Sequence, residues 1–155
     1  MAKSPDHPNV IALPPLIFLG AIVAGLLLGY LWPAPIGGGT ERLVAGATIV
    51  LIGLALGAAA VRQFRRAGTN LEVTKPSTVV VRTGPFRFSR NPIYLSLTLL
   101  VGGVGVLLNN IWILLSLIPT LAIIRVGVIA REEQYLEAKF GTEYLQYKST
   151  VRRWF

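Results

Sequence analysis

Three long stretches of the chain contain no charged side chain, and they cover residues 8–40, 43–61 and 91–124. Stretches of this kind are typical of transmembrane helices, which need about 20 mostly apolar residues each. The third stretch is too long for one crossing at about 1.5 Å per residue, and the pair Asn109-Asn110 divides it into a hairpin. The sequence therefore predicts an all-α integral membrane protein with about four transmembrane helices, over residues 15–32, 43–61, 92–108 and 111–130.

Composition favours a single membrane domain over residues 1–155. Hydrophobic residues make up 53% of the chain and charged residues only 14%, whereas an average soluble domain has about 25% charged residues. The chain has no cysteine and one histidine, His7, in a proline-rich N-terminus. Disulfides, a cysteine nucleophile and a histidine-based centre are therefore not expected, and no metal site is predicted.

The basic residues give the chain a net charge of +8, but they lie between the apolar runs and not along one polar surface. They concentrate in the loop 62–91 and after residue 130. This distribution is the positive-inside pattern of multi-pass membrane proteins. We therefore expect membrane lipid around the protein and no nucleic-acid partner. Both termini and the 62–91 loop are expected in the cytoplasm.

Arg125 is the one charged residue inside a predicted span, and an ionisable residue at that depth is a functional candidate. On a continuous α-helix Glu132 lies seven positions further on, nearly on the same face, and Glu133 flanks it. We therefore expect a cation and two carboxylates to meet at the membrane surface. The alternatives are an arginine that extends to the interface and a pair of solvated glutamates.

A short C-terminal helix is predicted after the last span. Gly141 can end the preceding helix, and Thr142 can cap the next one. Tyr144 and Tyr147, three positions apart, then share one face of an amphipathic helical tail that lies along the membrane surface. Aromatic residues in such a tail also serve as ordinary interface anchors.

Two ordered motifs flank the predicted hairpin: GPFRFSRNPIY, from Gly84 to Tyr94, and EEQYLEAKFGTEYLQYKSTVRRWF, from Glu132 onwards. Together they resemble the core of the integral-membrane methyltransferases related to isoprenylcysteine carboxyl methyltransferase and phospholipid methyltransferase. That family typically shows G-P-[YF]-R and R-H-P-x-Y before the hairpin, then E-E-x-x-L, F-G and two tyrosines after it. The chain departs from the pattern at Asn91, where histidine is frequent, and at Arg152, where proline usually follows the valine.

The resemblance implies S-adenosyl-L-methionine as methyl donor, held by the motifs 84–94 and 132–153 at the cytosolic ends of the last two helices. It also implies a lipophilic small molecule or a lipid-anchored group as acceptor; the identity of the acceptor and the oligomeric state are left open. The catalytic candidates are Arg125, which could hold an anionic acceptor, and Glu132, which could take a proton from an amine, with Glu133 as the alternative base. The cofactor-binding residues that the resemblance implies are Gly84, Arg90, Asn91, Tyr94, Glu132, Glu133, Tyr144 and Tyr147.

Two other classes of function fit parts of the pattern. Sterol and steroid reductases have a related membrane architecture and use NADPH, but their tails generally lack the E-E-x-x-L signature. A non-enzymatic helical scaffold or transporter subunit would require both motifs to be coincidental, and the two halves of the chain show no convincing repeat. The sequence therefore predicts a methyltransferase, with these two classes as the alternatives.

Overall fold

The computed structural model describes residues 8–72 and 74–154, and all regular secondary structure in these ranges is helical. The α-helices within them are α1 Pro14–Leu31, α2 Thr40–Arg66, α3 Pro92–Leu107, α4 Ile111–Ile123, α5 Ala130–Phe140 and α6 Thr142–Thr150. A 3-10 turn, Gly84–Arg87, precedes α3, and a π-helical segment, Ile124–Ile129, joins α4 to α5. The predicted all-α fold is confirmed. His7 lies outside the described residues.

Three helical stretches are long and apolar enough to cross a membrane: α1, α2 and the continuous run Ile111–Phe140, which comprises α4, the π segment and α5. Helix α3 is apolar but shorter, and its 16 residues span about 24 Å. These lengths support the predicted membrane protein. A fourth crossing by α3 and the cytoplasmic location of the termini stay predictions, as does the single domain.

Helix α2 extends beyond the predicted range of 43–61 at both ends, because its charged terminal residues find partners or solvent. At its start, Arg42 Nη1 donates to the carbonyl oxygens of Val106 at 2.7 Å and Leu107 at 2.5 Å. These carbonyls belong to the last turn of α3, beyond the last regular α-helical hydrogen bond. The last turn of α2 is basic, which suits the negative end of the helix dipole.

The turn between α3 and α4 lies at the predicted asparagine pair. Asn109 adopts a positive φ of 55°, a conformation that asparagine tolerates better than most residues. The Asn110 side chain accepts a hydrogen bond from the backbone N–H of Trp112 at 2.9 Å and so caps α4. Its Nδ2 also donates to the carbonyl oxygen of Gly25 in α1 at 3.1 Å. The predicted hairpin is confirmed, and Asn110 ties it to the first helix.

Small residues let the helices approach closely. Helix α2 packs along α3, and α1 packs along α4. Gly46 and Gly53 of α2 face the α3 backbone near Leu107 and Leu100. Ser96 Oγ in α3 donates to the carbonyl oxygen of Gly53 at 2.8 Å. Close backbone contact of this kind is the usual role of glycine and serine between membrane helices.

The π segment changes the face that the last long helix presents. A π turn carries roughly one extra residue, so it rotates the following helix by about 100° relative to an uninterrupted α-helix. Ile124, Val128 and Ile129 within the segment are fully buried. The backbone N–H of Ile11 donates to the carbonyl oxygen of Gly127 at 3.3 Å. The N-terminal segment therefore crosses the long helix at its π turn.

Gly103 and Gly102 of α3 provide a matched test of the packing between α2 and α3. A Cβ atom on Gly103 would lie 2.6 Å from Val50 Cγ2 and 2.9 Å from the Val50 backbone nitrogen. A Cβ atom on Gly102 would lie 3.7 Å from Leu117 Cδ1, an ordinary contact. Gly103→Ala should lower the free energy of unfolding by about 1 to 3 kcal/mol through overpacking.

Gly102→Ala is the control, and it should leave the free energy of unfolding unchanged or raise it by up to about 1 kcal/mol, because alanine favours the helix. Thermal unfolding in detergent micelles measures both variants. Equal stability of the two alanine variants would contradict the close approach of the helices.

Candidate active site

A cavity of about 450 Å³ lies where the end of α2, the start of α3 and helices α5 and α6 meet. Two groups of side chains form most of its lining. The first is a polar and aromatic set from the two sequence motifs, called here the motif set: Arg90, Asn91, Tyr94, Glu132, Glu133, Tyr144 and Tyr147. The second is an apolar set, which includes Leu13, Leu16, Phe64, Leu71, Val80, Phe86, Ile93, Leu97 and Leu136.

Glu133 is the buried centre of the motif set. Only 5% of the residue is exposed, and both of its carboxylate oxygens are paired. Arg153 donates from Nε to Oε1 at 3.0 Å and from Nη2 to Oε2 at 2.6 Å, a two-point contact. Arg90 Nη1 lies 3.1 Å from Oε1. Because a buried carboxylate is costly without such partners, the two arginines explain why Glu133 is tolerated here.

Arg90 has donor capacity left over. Its backbone N–H donates to the carbonyl oxygen of Arg152 at 3.0 Å, and its side chain is only 9% exposed. Within residues 8–72 and 74–154, its Nε and Nη1 atoms have no hydrogen-bond acceptor. The contact of Nη1 with Glu133 is therefore an ion pair by distance without hydrogen-bond geometry. Buried donors are almost always satisfied, so these two atoms are donors with which a ligand in the cavity could form hydrogen bonds.

Asn91 connects the first motif to the end of the chain. Its Nδ2 donates to the carbonyl oxygen of Arg153 at 2.9 Å, and its backbone N–H donates to Ser89 Oγ at 3.1 Å. Ser89 Oγ in turn donates to the carbonyl oxygen of Arg153 at 3.2 Å. This contact with a backbone carbonyl needs only an amide N–H donor, so Asn91 makes it without the titratable ring of the histidine that is frequent at this position. Asn91 thus positions the segment that carries Arg153.

Tyr94 and Glu132 form a second polar pair in the cavity. The Tyr94 hydroxyl donates to Glu132 Oε1 at 2.7 Å. Tyr94 is buried, and Glu132 is half-buried. In the part of the chain that the structure describes, no basic side chain pairs with Glu132. Unlike Glu133, this carboxyl group therefore has no protein cation beside it and is available to a cationic ligand group or a proton.

Tyr144 and Tyr147 present a buried aromatic surface on α6. Their rings meet edge to face, with centroids 6.1 Å apart. The Tyr147 hydroxyl donates to the carbonyl oxygen of Phe86 at 2.8 Å. Burial raises the pKa of Tyr144 to about 12, with Glu133 adding to the rise, and burial also raises the pKa of Tyr147. Both hydroxyls therefore stay protonated near neutral pH.

The expectations for the tail are confirmed only in part. Gly141 ends α5 with a positive φ of 52°, as predicted. Thr142 does not cap the next helix, because Gly141 occupies the capping position and no side chain caps it. The two tyrosines share a face as predicted, but that face is buried in the protein. The location of α6 along the membrane surface stays a prediction.

Gly84 has a backbone role in the structure. Its φ of +60° is in the left-handed region, and a Cβ atom would lie 2.7 Å from Gln63 Nε2. Glycine tolerates this conformation without steric cost. The residue begins the 3-10 turn that places Phe86 under Tyr147, and it does not line the cavity. Direct contact between Gly84 and a cofactor stays a prediction.

Arg125 does not meet the two glutamates, so the expected cluster of one cation and two carboxylates is wrong. Arg125 is exposed and lines a separate groove, whereas Glu132 lines the cavity. The expectation assumed a continuous α-helix between the two residues, and the π segment rotates the later part of the helix away from that register. A catalytic role for Arg125 stays a prediction.

Sequence reasoning missed Arg153 as the main partner of Glu133. The basic tail was visible, but nothing in its spacing distinguished this arginine from Arg152. It also missed the apolar set, because residues 13–16 and 64–81 carry no motif. Tyr135 was missed as well, and its hydroxyl accepts a hydrogen bond from the backbone N–H of Ser77 at 3.1 Å. That contact joins the loop at Ser77 to α5, and both residues line the cavity.

The fold and the cavity define a class: helical membrane proteins with a ligand-sized pocket of charged and aromatic side chains at one end of the helices. Residues 41–143 match the family described as phospholipid methyltransferase, which is more than half of the chain, and the protein belongs to that family. The resemblance predicted from the motifs is confirmed at this level. Family membership supports a membrane methyltransferase in general.

One relative is an uncharacterized protein from Haemophilus influenzae, which is 48% identical over 61 residues. The matched region covers 39% of this chain and 97% of that protein. No solved structure gives a significant match to the chain.

The buried charges at Glu133 generate a stability prediction. Glu133→Ala removes the shared partner of Arg90 and Arg153 and leaves Arg90 buried without a counter-ion. The free energy of unfolding should fall by about 3 to 5 kcal/mol, as for other broken buried ion pairs. Chemical unfolding in detergent micelles measures the loss.

Glu143→Ala is the matched control, because it removes a glutamate whose contact with Arg82 is exposed. The loss there should be at most about 1 kcal/mol. A Glu133→Ala variant as stable as the Glu143→Ala variant would contradict the account of Glu133.

Proposed function

We propose that this protein is an S-adenosyl-L-methionine-dependent methyltransferase that acts on a lipophilic acceptor. The observation that carries the proposal is that one cavity contains buried Arg90 donors without a hydrogen-bond acceptor and a Glu132 carboxyl group without a basic partner. A ligand that satisfies both needs an anionic and a cationic group. Members of the phospholipid methyltransferase family generally use S-adenosyl-L-methionine, which has both.

The residues present fit this cofactor. Arg90 would hold its carboxylate, because the guanidinium offers planar donors in a fixed geometry. Glu132 would take a hydrogen bond from its ammonium group or its ribose. Tyr144 and Tyr147 offer flat apolar faces to an adenine ring. The cavity volume of about 450 Å³ lies within the range of about 300 to 1,000 Å³ that small-ligand sites occupy.

When bound, the cofactor supplies an electrophilic methyl group on its sulfonium sulfur. The chain's own contribution is orientation and the exclusion of water. Leu16, Phe64, Val80 and Leu97 belong to the apolar set, which gives an alkyl chain a surface free of competing hydrogen bonds. Holding the methyl donor and the acceptor close together and correctly oriented in such a site lowers the barrier to an in-line displacement. These side chains support a lipophilic acceptor over a water-soluble one.

Glu132 is the residue suited to proton transfer. Its Oε1 accepts from Tyr94, which fixes the carboxylate and leaves the other oxygen for a proton. An amine acceptor has to lose a proton on methylation, and Glu132 would receive it. A carboxylate acceptor needs no such base. Isoprenylcysteine-type and amine-type acceptors therefore differ in their dependence on Glu132.

Methyl transfer can be tested directly with purified protein in vesicles made from cell membrane lipid. With a donor radiolabelled on its methyl group, label should accumulate in the organic-solvent extract. Glu132→Gln should lower the rate at least tenfold, because it keeps a similar shape but removes the carboxyl group that can pair with a cationic ligand group or take a proton. Glu143→Gln, which changes an exposed glutamate outside the cavity, should retain full activity. An extract no more labelled than that of heat-inactivated protein would contradict the proposal.

Cofactor choice is tested on the same preparation. S-adenosylhomocysteine should raise the thermal unfolding temperature, and NADPH should not. Arg90→Lys should remove most of the rise, because an ammonium group cannot reproduce the planar donors of a guanidinium. Stabilisation by NADPH alone would favour the reductase alternative.

A further inference from the structure

A second site lies on another face of α3, away from the cavity. Tyr94 and Leu97 of α3 line the cavity, whereas Leu95 and Thr98 line an open groove between α3 and the long helix. Adjacent positions on an α-helix differ in direction by about 100°. The groove and the cavity share no lining residue. An inference about the groove therefore does not rest on the proposed methyl transfer.

Arg125 is the charged residue of this groove. Its neighbours there include Leu121 and Val126 of the long helix and Trp154 from the C-terminal segment, all uncharged. Arg125 is exposed. Across residues 8–72 and 74–154 it makes no hydrogen bond or ion pair with another side chain. A guanidinium on a membrane helix thus has an apolar surrounding and no protein anion to balance it.

The position of Arg125 along the helix places it near one membrane interface. It lies about 21 Å beyond Ile111 at the rise of an α-helix, in a bilayer whose hydrocarbon core is about 30 Å thick. Trp112 marks the other end, where its Nε1 donates to the carbonyl oxygen of Trp32 at 2.7 Å. Tryptophan concentrates at membrane interfaces, and Trp154 stands beside Arg125. A long arginine side chain reaches the headgroup layer from this depth.

We propose that the groove binds an anionic phospholipid, with the Arg125 guanidinium on the headgroup phosphate. Guanidinium and phosphate form charge-assisted, two-point hydrogen bonds. The acyl chains would lie against Leu121 and along the adjoining surface, where Ile118 is 69% exposed and Val126 is 70% exposed. One unbalanced cation above a continuous apolar surface matches the amphiphilic shape of a lipid. A membrane helix of a second copy would supply apolar side chains but no anion for the guanidinium, because the uncharged runs 8–40, 43–61 and 91–124 contain no carboxylate.

Trp154 makes the groove observable, because bromine on an acyl chain quenches a tryptophan that it contacts. The experiment uses the full chain with Trp32→Phe and Trp112→Phe, so that Trp154 is the remaining tryptophan. Two sets of vesicles have the same mixture of phosphatidylglycerol and phosphatidylcholine. The bromine is on the anionic lipid in one set and on the zwitterionic lipid in the other. Quenching per brominated lipid should be about fivefold greater for phosphatidylglycerol, the effect of one basic residue at a membrane surface.

Three variants identify the source of that preference. Arg125→Leu should reduce it to parity, and Arg125→Lys should keep most of it because the charge remains. Arg66→Leu removes an exposed basic residue from the end of α2 and should leave the preference unchanged, because Arg66 does not line the groove. Circular dichroism establishes that each variant keeps its helix content.

The possible contrary results are distinct. Equal quenching by the two lipids in the protein with Arg125 would overturn the proposal. If the preference for phosphatidylglycerol survives Arg125→Leu, or falls equally with Arg66→Leu, it comes from general surface charge. Either result would overturn the proposed lipid site. Weak quenching by both brominated lipids together with cross-linked dimers would overturn the proposal, because it would show that protein and not lipid covers Trp154.

Discussion

The buried carboxylate of Glu133 holds together the parts of the chain that form the cavity. It lies in the first turn of α5, and its partners come from the residue pair before α3 and from the C-terminal segment. The same elements are joined by backbone contacts, because Arg90 donates to the Arg152 carbonyl and Asn91 donates to the Arg153 carbonyl. Three segments distant in sequence are therefore fixed around one negative charge. Since Glu133 is paired with two arginines, the carboxyl group of the motif set that has no basic partner is Glu132.

Membrane packing supplies the frame for this arrangement. Helices α2 and α3 approach closely at glycines, and Asn110 ties the α3–α4 turn to α1. The π segment then sets the rotation of α5. With that rotation Glu132 and Glu133 face the cavity, while Arg125 faces a groove on the outer surface. One local departure from α-helical spacing thus separates two charged regions that lie seven residues apart in sequence, a use of π turns often found near functional sites.

Much of this molecule could be predicted from its sequence, for physical reasons that also explain the failures. Uncharged runs predict helices because a membrane helix needs length and apolarity, and the asparagine pair predicted the hairpin. The resemblance of the two motifs predicted all the residues of the motif set, and the structure places them in the lining of one cavity. Such a prediction is possible because the residues of a ligand site are constrained in type and order. The face of Arg125 could not be predicted, since hydrophobic periodicity carries no mark of a π turn. The role of Arg153 and the apolar set depend on contacts between distant segments, which local patterns do not encode.

The central claim is that the motif set and its cavity hold S-adenosyl-L-methionine. Ultraviolet cross-linking of the radiolabelled cofactor to the purified protein, followed by peptide mapping, tests it most directly. The account predicts label in peptides from residues 84–94 or 132–153, and loss of that label when excess S-adenosylhomocysteine competes. Label confined to other peptides, or label that the competitor does not reduce, would contradict it.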